Sequence, residues 1–140
     1  GVAVWPAKAI NYTNKTQFLF RIQKGILDIN DTGVNDYIKP ENQRVPFRNM
    51  IYIGDSDTDI PCMSLVNANG GHSIGVYDPF KKDKEKVYKM MRHHRIRYYA
   101  PADYSNGSKL DTLVKQIIRK TAAYEVLEGE YIHCKYEAEE

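Results

Sequence analysis

Short apolar runs alternate with segments of helical spacing along most of the chain. The runs Met50–Ile53, Ser73–Val76 and Ile96–Ala100 have the length and the β-branched or aromatic content of strands that are buried in a sheet. Helical segments lie between and after them. Because strands that alternate with helices are typical of βαβ units, the pattern predicts an α/β fold with a parallel sheet flanked by helices.

The helical segments are predicted from their caps and from the spacing of apolar residues. They are Lys15 to about Lys24, Ile60 to Val66, Asp83 to about His94, and a long helix after Ser108 that extends to about Leu127. The long helix has the clearest period, with apolar residues at i, i+3, i+4, i+7 and i+8: Leu110, Leu113, Val114, Ile117 and Ile118. In the first helix the inward residues are predicted to be Phe18, Leu19 and Ile22; in the third, Val87, Met90 and Met91.

The chain length, the glycine and proline positions and the acidic carboxyl-terminal residues complete the predicted organisation. The 140 residues correspond to a single domain with room for a hydrophobic core. Residues 28–47 are polar and contain Gly33, Pro40 and Pro46, so they are predicted to form a loop, and loops of this length are often functional. Residues 128–140 are rich in glutamate and are predicted to form a mobile acidic tail.

Three carboxylates follow the first predicted strand within five residues: Asp55, Asp57 and Asp59. In an open α/β sheet, ligands bind outside the carboxyl ends of the strands, and Mg²⁺ prefers oxygen ligands of this kind. The same residues, together with Ser56 and Thr58, are also good caps for the first turn of a helix. The two interpretations are compatible, since one aspartate can cap a helix while another binds a metal ion.

The segment Ile51–Met63 resembles the fourth motif of the haloacid dehalogenase-like (HAD) hydrolases, an apolar strand followed by Gly-Asp, three residues and a second Asp. The segment Thr13–Phe20 resembles the third motif of that family, a lysine at the start of a helix. Gly71–Val76 resembles the next strand of the core. With looser similarity around residues 98–110, the resemblance covers about residues 13–118.

This resemblance implies a Rossmann-like sheet and a Mg²⁺-dependent phosphohydrolase that acts on a phosphorylated small molecule. Lys15 would neutralise the transferring phosphate, with Asn14 beside it in substrate binding. Asp55 would bind Mg²⁺ directly, and Asp59 would bind it through water or orient Lys15. Asp57 is expected to face solvent. Thr58 departs from the Asn that many members carry, which leaves the subfamily open.

The nucleophile motif of that family, a strand ending in Asp-x-Asp, does not precede Lys15. Asp55-Ser56-Asp57 has this form. The segment is nevertheless assigned to the fourth motif, because Asp59 completes that motif and Lys15 lies upstream of it rather than downstream. The chain is therefore predicted to be the carboxyl-terminal part of a HAD-like phosphohydrolase, without the amino-terminal strands and inactive alone. The alternative is a non-catalytic, truncated homologue that serves as an interaction or regulatory module.

The expected partners follow from the sheet edge and from charge. Without the strand of the nucleophile, Met50–Ile53 would have a free edge, which predicts self-association or pairing with a separate segment. The net charge of +2 indicates no particular partner. Residues 81–97 are basic but contain Asp83 and Glu85, so they are interpreted as a solvated surface, and nucleic acid is not expected.

Two separated cysteines, no long apolar stretch and no leader pattern favour a cytoplasmic protein without membrane contact.

Overall fold

The computed structural model describes residues 15–28, 31, 33, 36–81 and 83–140. In chain order the helices and strands are α1 (Lys15–Lys24), β1 (Ile51–Gly54), α2 (Ile60–Ala68), β2 (His72–Tyr77), α3 (Glu85–Arg92), β3 (Tyr98–Pro101) and α4 (Lys109–Ala138). The predicted order of helices and strands is confirmed. Element ends differ from the prediction by one or two residues, except at the end of α4.

The three strands form one parallel sheet in the order β1-β2-β3. Ile53 is paired with Ile74, and Ile74 is paired with Tyr98 across the other side of β2. Among the described residues, β1 pairs only with β2 and therefore lies at one edge of the sheet. The predicted α/β class, a parallel sheet flanked by helices, is confirmed.

The two faces of the sheet are covered by different helices, as the alternation of side chains along a strand requires. Ile74 and Val76 of β2 point to one face, where they pack with Leu110 and Ile117 of α4. Ser73 lies on the other face and donates a hydrogen bond from Oγ to the carbonyl oxygen of Met63 at 2.7 Å. That face is covered by α2 and α3, so β2 is buried along almost its whole length.

The inner face of α1 is more polar than its sequence indicates. Leu19 is buried as predicted, but Ile22 is exposed, whereas Arg21 and Gln23 are buried. The Arg21 guanidinium donates to backbone carbonyls of the following loop, those of Ile26, Asp28 and Asp31. The prediction for Ile22 is therefore wrong, because α1 turns a cation toward the carbonyl groups of the loop rather than an apolar side chain toward the core.

The predicted loop agrees with the structure, whereas the predicted acidic tail does not. In the described part of residues 28–47, the helical turns are short 3-10 turns such as Pro40–Asn42, in agreement with the predicted loop. The tail, in contrast, belongs to α4, which continues to Ala138 instead of ending near Leu127. Although α4 is 30 residues long, no helix of the described residues combines the length and the apolar character that crossing a bilayer requires.

Candidate active site

The candidate site begins where β1 ends. Asp55 is the first residue after Gly54, at the carboxyl end of the strand, and a 3-10 turn, Asp57–Asp59, leads from there into α2. Ser56 and Asp59 form a capping box, in which each side chain accepts a hydrogen bond from the backbone of the other residue. The capping interpretation of this acidic segment is therefore confirmed, and the capping carboxylate is Asp59.

One oxygen of the Asp59 carboxylate binds two distant side chains. Oδ1 accepts a hydrogen bond from the Lys15 ammonium at 2.9 Å and another from the Tyr52 hydroxyl at 2.8 Å. Lys15 comes from the first turn of α1 and Tyr52 from the middle of β1. The carboxylate thus fixes the position of α1 relative to the edge of the sheet.

The other oxygen of Asp59 closes the turn. Oδ2 accepts from the backbone N–H groups of Asp55 and Ser56 and from the Ser56 hydroxyl, each at 3.2 Å. Both carboxylate oxygens are therefore occupied by donors of this chain. Of the two expected roles of Asp59, binding Mg²⁺ through water or orienting Lys15, the contact with Lys15 agrees with the second, and the occupied oxygens leave little capacity for direct metal binding.

These contacts change the acidities of the residues that make them. Burial alone would raise the pKa of the Asp59 carboxyl, but the hydrogen bonds from Lys15, Tyr52 and Ser56 outweigh it, and the pKa is lowered below its ordinary value. Burial, and then the hydrogen bond to Asp59, raise the pKa of Tyr52 far above its ordinary value. At neutral pH the site therefore contains an Asp59 anion and a neutral Tyr52 donor.

Lys15 differs from an ordinary solvated lysine. Its ammonium also donates to the Thr58 hydroxyl at 3.2 Å, and its side chain is only 25% exposed. A cation in the first turn of a helix is disfavoured by the helix dipole, so the position needs a compensating anion. Asp59 is that anion. The side chain of Lys15 therefore remains partly exposed at the carboxyl end of β1.

Asp55 is the carboxylate that remains available. It is exposed, and among the residues that the structure describes no hydrogen-bond donor contacts its side chain. It lines an open cleft of about 390 Å³ together with residues that follow β2 and β3, among them Asp78, Phe80 and Ala102. The cleft therefore lies outside the carboxyl ends of all three strands, the usual place for a ligand in such a sheet.

The described residues could supply part of the ligand set of a Mg²⁺ ion. Within the described ranges, no three His, Cys, Asp or Glu side chains converge. Mg²⁺ in phosphoryl-transfer sites is commonly held by one or two carboxylates, water and substrate phosphate. The free Asp55 carboxylate fits one such position, whereas Asp59 is already fully hydrogen-bonded.

Gly54 is required by the close packing of this turn. A Cβ atom built on Gly54 would lie 2.6 Å from Oδ2 and 2.7 Å from Cγ of Asp59. Any side chain at this position would push Asp59 away from Lys15. The Gly-Asp pair at the end of β1 thus has a steric reason: the glycine makes room for the carboxylate that holds the lysine.

Two further residues named in the sequence analysis are Asn14 and Asp57, and the structure adds Tyr52. Asn14 lies outside the described residues. Asp57 faces solvent as predicted, with an 81% exposed side chain 3.7 Å from the Lys86 ammonium. Sequence reasoning missed Tyr52, although a signal existed, since a tyrosine hydroxyl within a strand that is partly buried usually has a hydrogen-bond partner.

Comparisons with known proteins leave the family open. No family model and no solved structure matches the chain. An uncharacterized protein of Borreliella burgdorferi is 26% identical over 101 residues, which cover 72% of this chain and 34% of that protein. The chain therefore spans about a third of the length of the curated relative that it matches.

Proposed function

We propose that this chain is the carboxyl-terminal part of the core of a Mg²⁺-dependent, HAD-like phosphohydrolase. The observation that carries the proposal is the contact of Lys15 with Asp59 beside the free Asp55 carboxylate, at the carboxyl end of an edge strand. A lysine, an orienting carboxylate and a metal-binding carboxylate are the groups that the resemblance assigns to the third and fourth motifs. The order of the sheet, with β1 at its edge, also agrees with a further strand beside it.

In the proposed reaction the residues of this chain position charge. Lys15, fixed by Asp59, directs its ammonium toward the site of the transferring phosphoryl group, where a preorganised cation stabilises developing negative charge. Tyr52 in turn fixes Asp59. Mg²⁺, when bound at Asp55, would neutralise charge on the phosphoryl oxygens. The nucleophile, an aspartate that forms an aspartyl-phosphate in this family, would come from outside these 140 residues, because no aspartate precedes Asp28.

The proposed substrate is a phosphate monoester of a small molecule. The cleft beside Asp55 is open and contains both an exposed aromatic ring, that of Phe80, and a second carboxylate, Asp78. Such a surface accommodates a leaving group without indicating its identity. The free edge of β1 would accept the strand of the nucleophile, either from the same polypeptide or from another chain.

The first test uses the 140-residue chain by itself. Hydrolysis of a generic aryl phosphate is measured with and without Mg²⁺, beside Asp55→Asn. The proposal predicts no Mg²⁺-dependent turnover by either protein. Activity that is lost in Asp55→Asn would mean that the nucleophile lies within these residues, and Asp55-Ser56-Asp57 would then be the catalytic pair.

The second candidate function is a non-catalytic interaction module, which the free edge of β1 favours. The two functions differ in what precedes the chain in its coding frame. An upstream strand that ends in Asp-x-Asp supports the enzyme, and its absence supports the module. A proline in β1, for example Tyr52→Pro, should block self-association through the strand edge. Such a result would favour the module only if no upstream strand ending in Asp-x-Asp exists.

A further inference from the structure

The carboxyl-terminal part of α4 is less covered than the part that packs on the sheet. In this helix, all of whose residues the structure describes, the buried residues are Leu110 and Ile117, and none follows Ile117. The stability of a helix in a protein comes mainly from packing of its apolar face, and an isolated helix of this length is marginal in water. Residues 118–138 therefore form a stretch of helix that a packing partner would stabilise.

An apolar patch lies on this part of α4. It consists of four exposed residues at positions i, i+1, i+4 and i+5: Ala122, Ala123, Val126 and Leu127. Val126 and Leu127 are each 69% exposed. Val126 follows Ile117 by nine residues, about two and a half turns, so it lies on the side of the helix that faces away from the sheet. Single exposed apolar residues are common, whereas a contiguous group on one face is typical of a contact surface.

One charge of each sign flanks this α4 patch, with Arg119 before it and Glu130 after it. The two residues are eleven positions apart, about three turns, so they lie on the same side of the helix. Among the residues that the structure describes, neither side chain has a hydrogen-bond or ion-pair partner. Lys115, in contrast, is paired within the helix with Asp111 at 2.9 Å. The charges beside the patch are therefore available to a partner.

The whole helix has the same polarity of charge. Residues 109–123 contain four Lys or Arg and one Asp, whereas residues 124–138 contain four Glu and one Lys. Two such helices side by side repel each other when they are parallel, because like charges then lie opposite each other. They attract each other when they are antiparallel. A second copy of this helix, in reverse direction, is thus complementary to the first in charge.

We propose that two copies of this chain form an antiparallel dimer through the α4 patch. A twofold axis between residues 124 and 125 places Val126 opposite Ala123 of the second copy and Leu127 opposite Ala122 of the second copy. It also places Arg119 opposite Glu130 of the second copy, and twofold symmetry repeats each of these contacts. Both charges are then about 8 Å from the axis along the helix, at the two ends of an apolar centre.

The first test is sedimentation of the 140-residue chain at protein concentrations up to about 0.5 mM. A contact over about three turns of two helices is smaller than a standard protein interface, so a weak dimer with a dissociation constant of about 0.1 mM or below is expected. A chain that stays monomeric over this range would overturn the proposal. The test does not involve activity, so its failure would leave the proposed hydrolase function unaffected.

Charge reversal tests the antiparallel arrangement. Arg119→Glu sets two carboxylates against each other at both ends of the contact and should weaken dimerisation about tenfold, and Glu130→Arg should do the same with two cations. The chain that carries both substitutions regains opposite charges and should dimerise within about threefold of the unmodified chain. Lys89→Glu makes the same change of charge at an exposed position of α3 and should leave dimerisation unchanged. Failure of the double substitution to restore the dimer would overturn the antiparallel pairing.

The apolar centre is tested with Leu127→Gln, which retains a good helix former at an exposed position. The substitution should weaken dimerisation about tenfold while far-ultraviolet circular dichroism shows that the helix content is retained. A dimer whose affinity is unchanged in both Leu127→Gln and Arg119→Glu would be formed by another surface, such as the edge of β1, and would overturn the proposal.

Discussion

The Lys15 ammonium lies 2.9 Å from Oδ1 of Asp59, 44 residues further along the chain. The contact joins the first turn of α1 to the turn that follows β1, and it is only slightly exposed on the Asp59 side. The same ion pair anchors α1 to the edge of the sheet and fixes a cation at the carboxyl end of β1.

Asp59→Asn should destabilise the fold by about 2–3 kcal/mol in free energy of unfolding, because it leaves the Lys15 ammonium and several N–H and O–H donors with poor partners. The measurement is urea unfolding at pH 7 followed by circular dichroism. Asp57→Asn, at the exposed position two residues earlier, is the control and should change stability by less than about 0.5 kcal/mol. Equal effects of the two substitutions would contradict the assigned role of Asp59.

The contribution of Asp59 should also depend on pH. Its pKa is lower in the folded protein than in the unfolded chain, so the unfolded state binds the proton more readily. The stabilisation is therefore fully present above about pH 4, the ordinary range of an aspartate, and is lost as the pH falls through the lowered pKa. The difference in stability between the unmodified chain and Asp59→Asn should be constant from pH 7 to pH 5 and shrink toward pH 3. A difference that grows on acidification would contradict this account.

Tyr52→Phe removes the hydroxyl that donates to Asp59 at 2.8 Å while it retains the ring. A loss of about 1–1.5 kcal/mol in free energy of unfolding is expected, with a higher pKa for Asp59 by NMR titration of its carboxyl carbon. Tyr104→Phe removes a hydroxyl from a 68% exposed side chain and should have no effect on either quantity. An unchanged pKa of Asp59 in Tyr52→Phe would show that the hydrogen bond is not maintained in solution.

The glycines at positions 54 and 129 should respond to alanine in opposite directions. Gly54→Ala places a methyl group 2.6 Å from Oδ2 of Asp59 and should cost about 1–3 kcal/mol. Gly129→Ala, within α4 and with no atom within 4 Å of the added methyl group, should stabilise the chain by about 0.5–1 kcal/mol. Thermal unfolding of both variants tests the pair. Destabilisation by Gly129→Ala would indicate that α4 is not helical at that point.

Much of the fold could be predicted from the sequence because its signals are local. The apolar period of Leu110–Ile118 and the runs that become β1, β2 and β3 predicted helices, strands and a parallel sheet. The end of α4 differs from the prediction because the glutamates of residues 128–140 indicate a charged tail, although glutamate is also a good helix former. The burial of Arg21 was missed because it depends on loop carbonyls that no periodic pattern indicates.

For the candidate site, the resemblance implies the residues and their roles, but it does not indicate what holds Asp59 in place. The resemblance to the HAD-like hydrolases implies Lys15, Asp55 and Asp59 as site residues, and the structure brings Lys15 and Asp59 into contact. The sequence does not indicate why Asp59 is buried while Asp55 is free. That difference depends on Gly54 and Tyr52, which create the space and the hydrogen bond that hold Asp59 inside the turn.

The most direct test of the proposed function is aryl phosphate hydrolysis by the protein expressed together with the residues that precede this chain in its coding frame. The account predicts Mg²⁺-dependent turnover that falls at least a hundredfold, on the order of the loss of one transition-state contact, in Asp55→Asn. Asp57→Asn should retain the activity. No Mg²⁺-dependent turnover, or turnover that Asp55→Asn leaves intact, would contradict the assignment of this site to phosphoryl transfer.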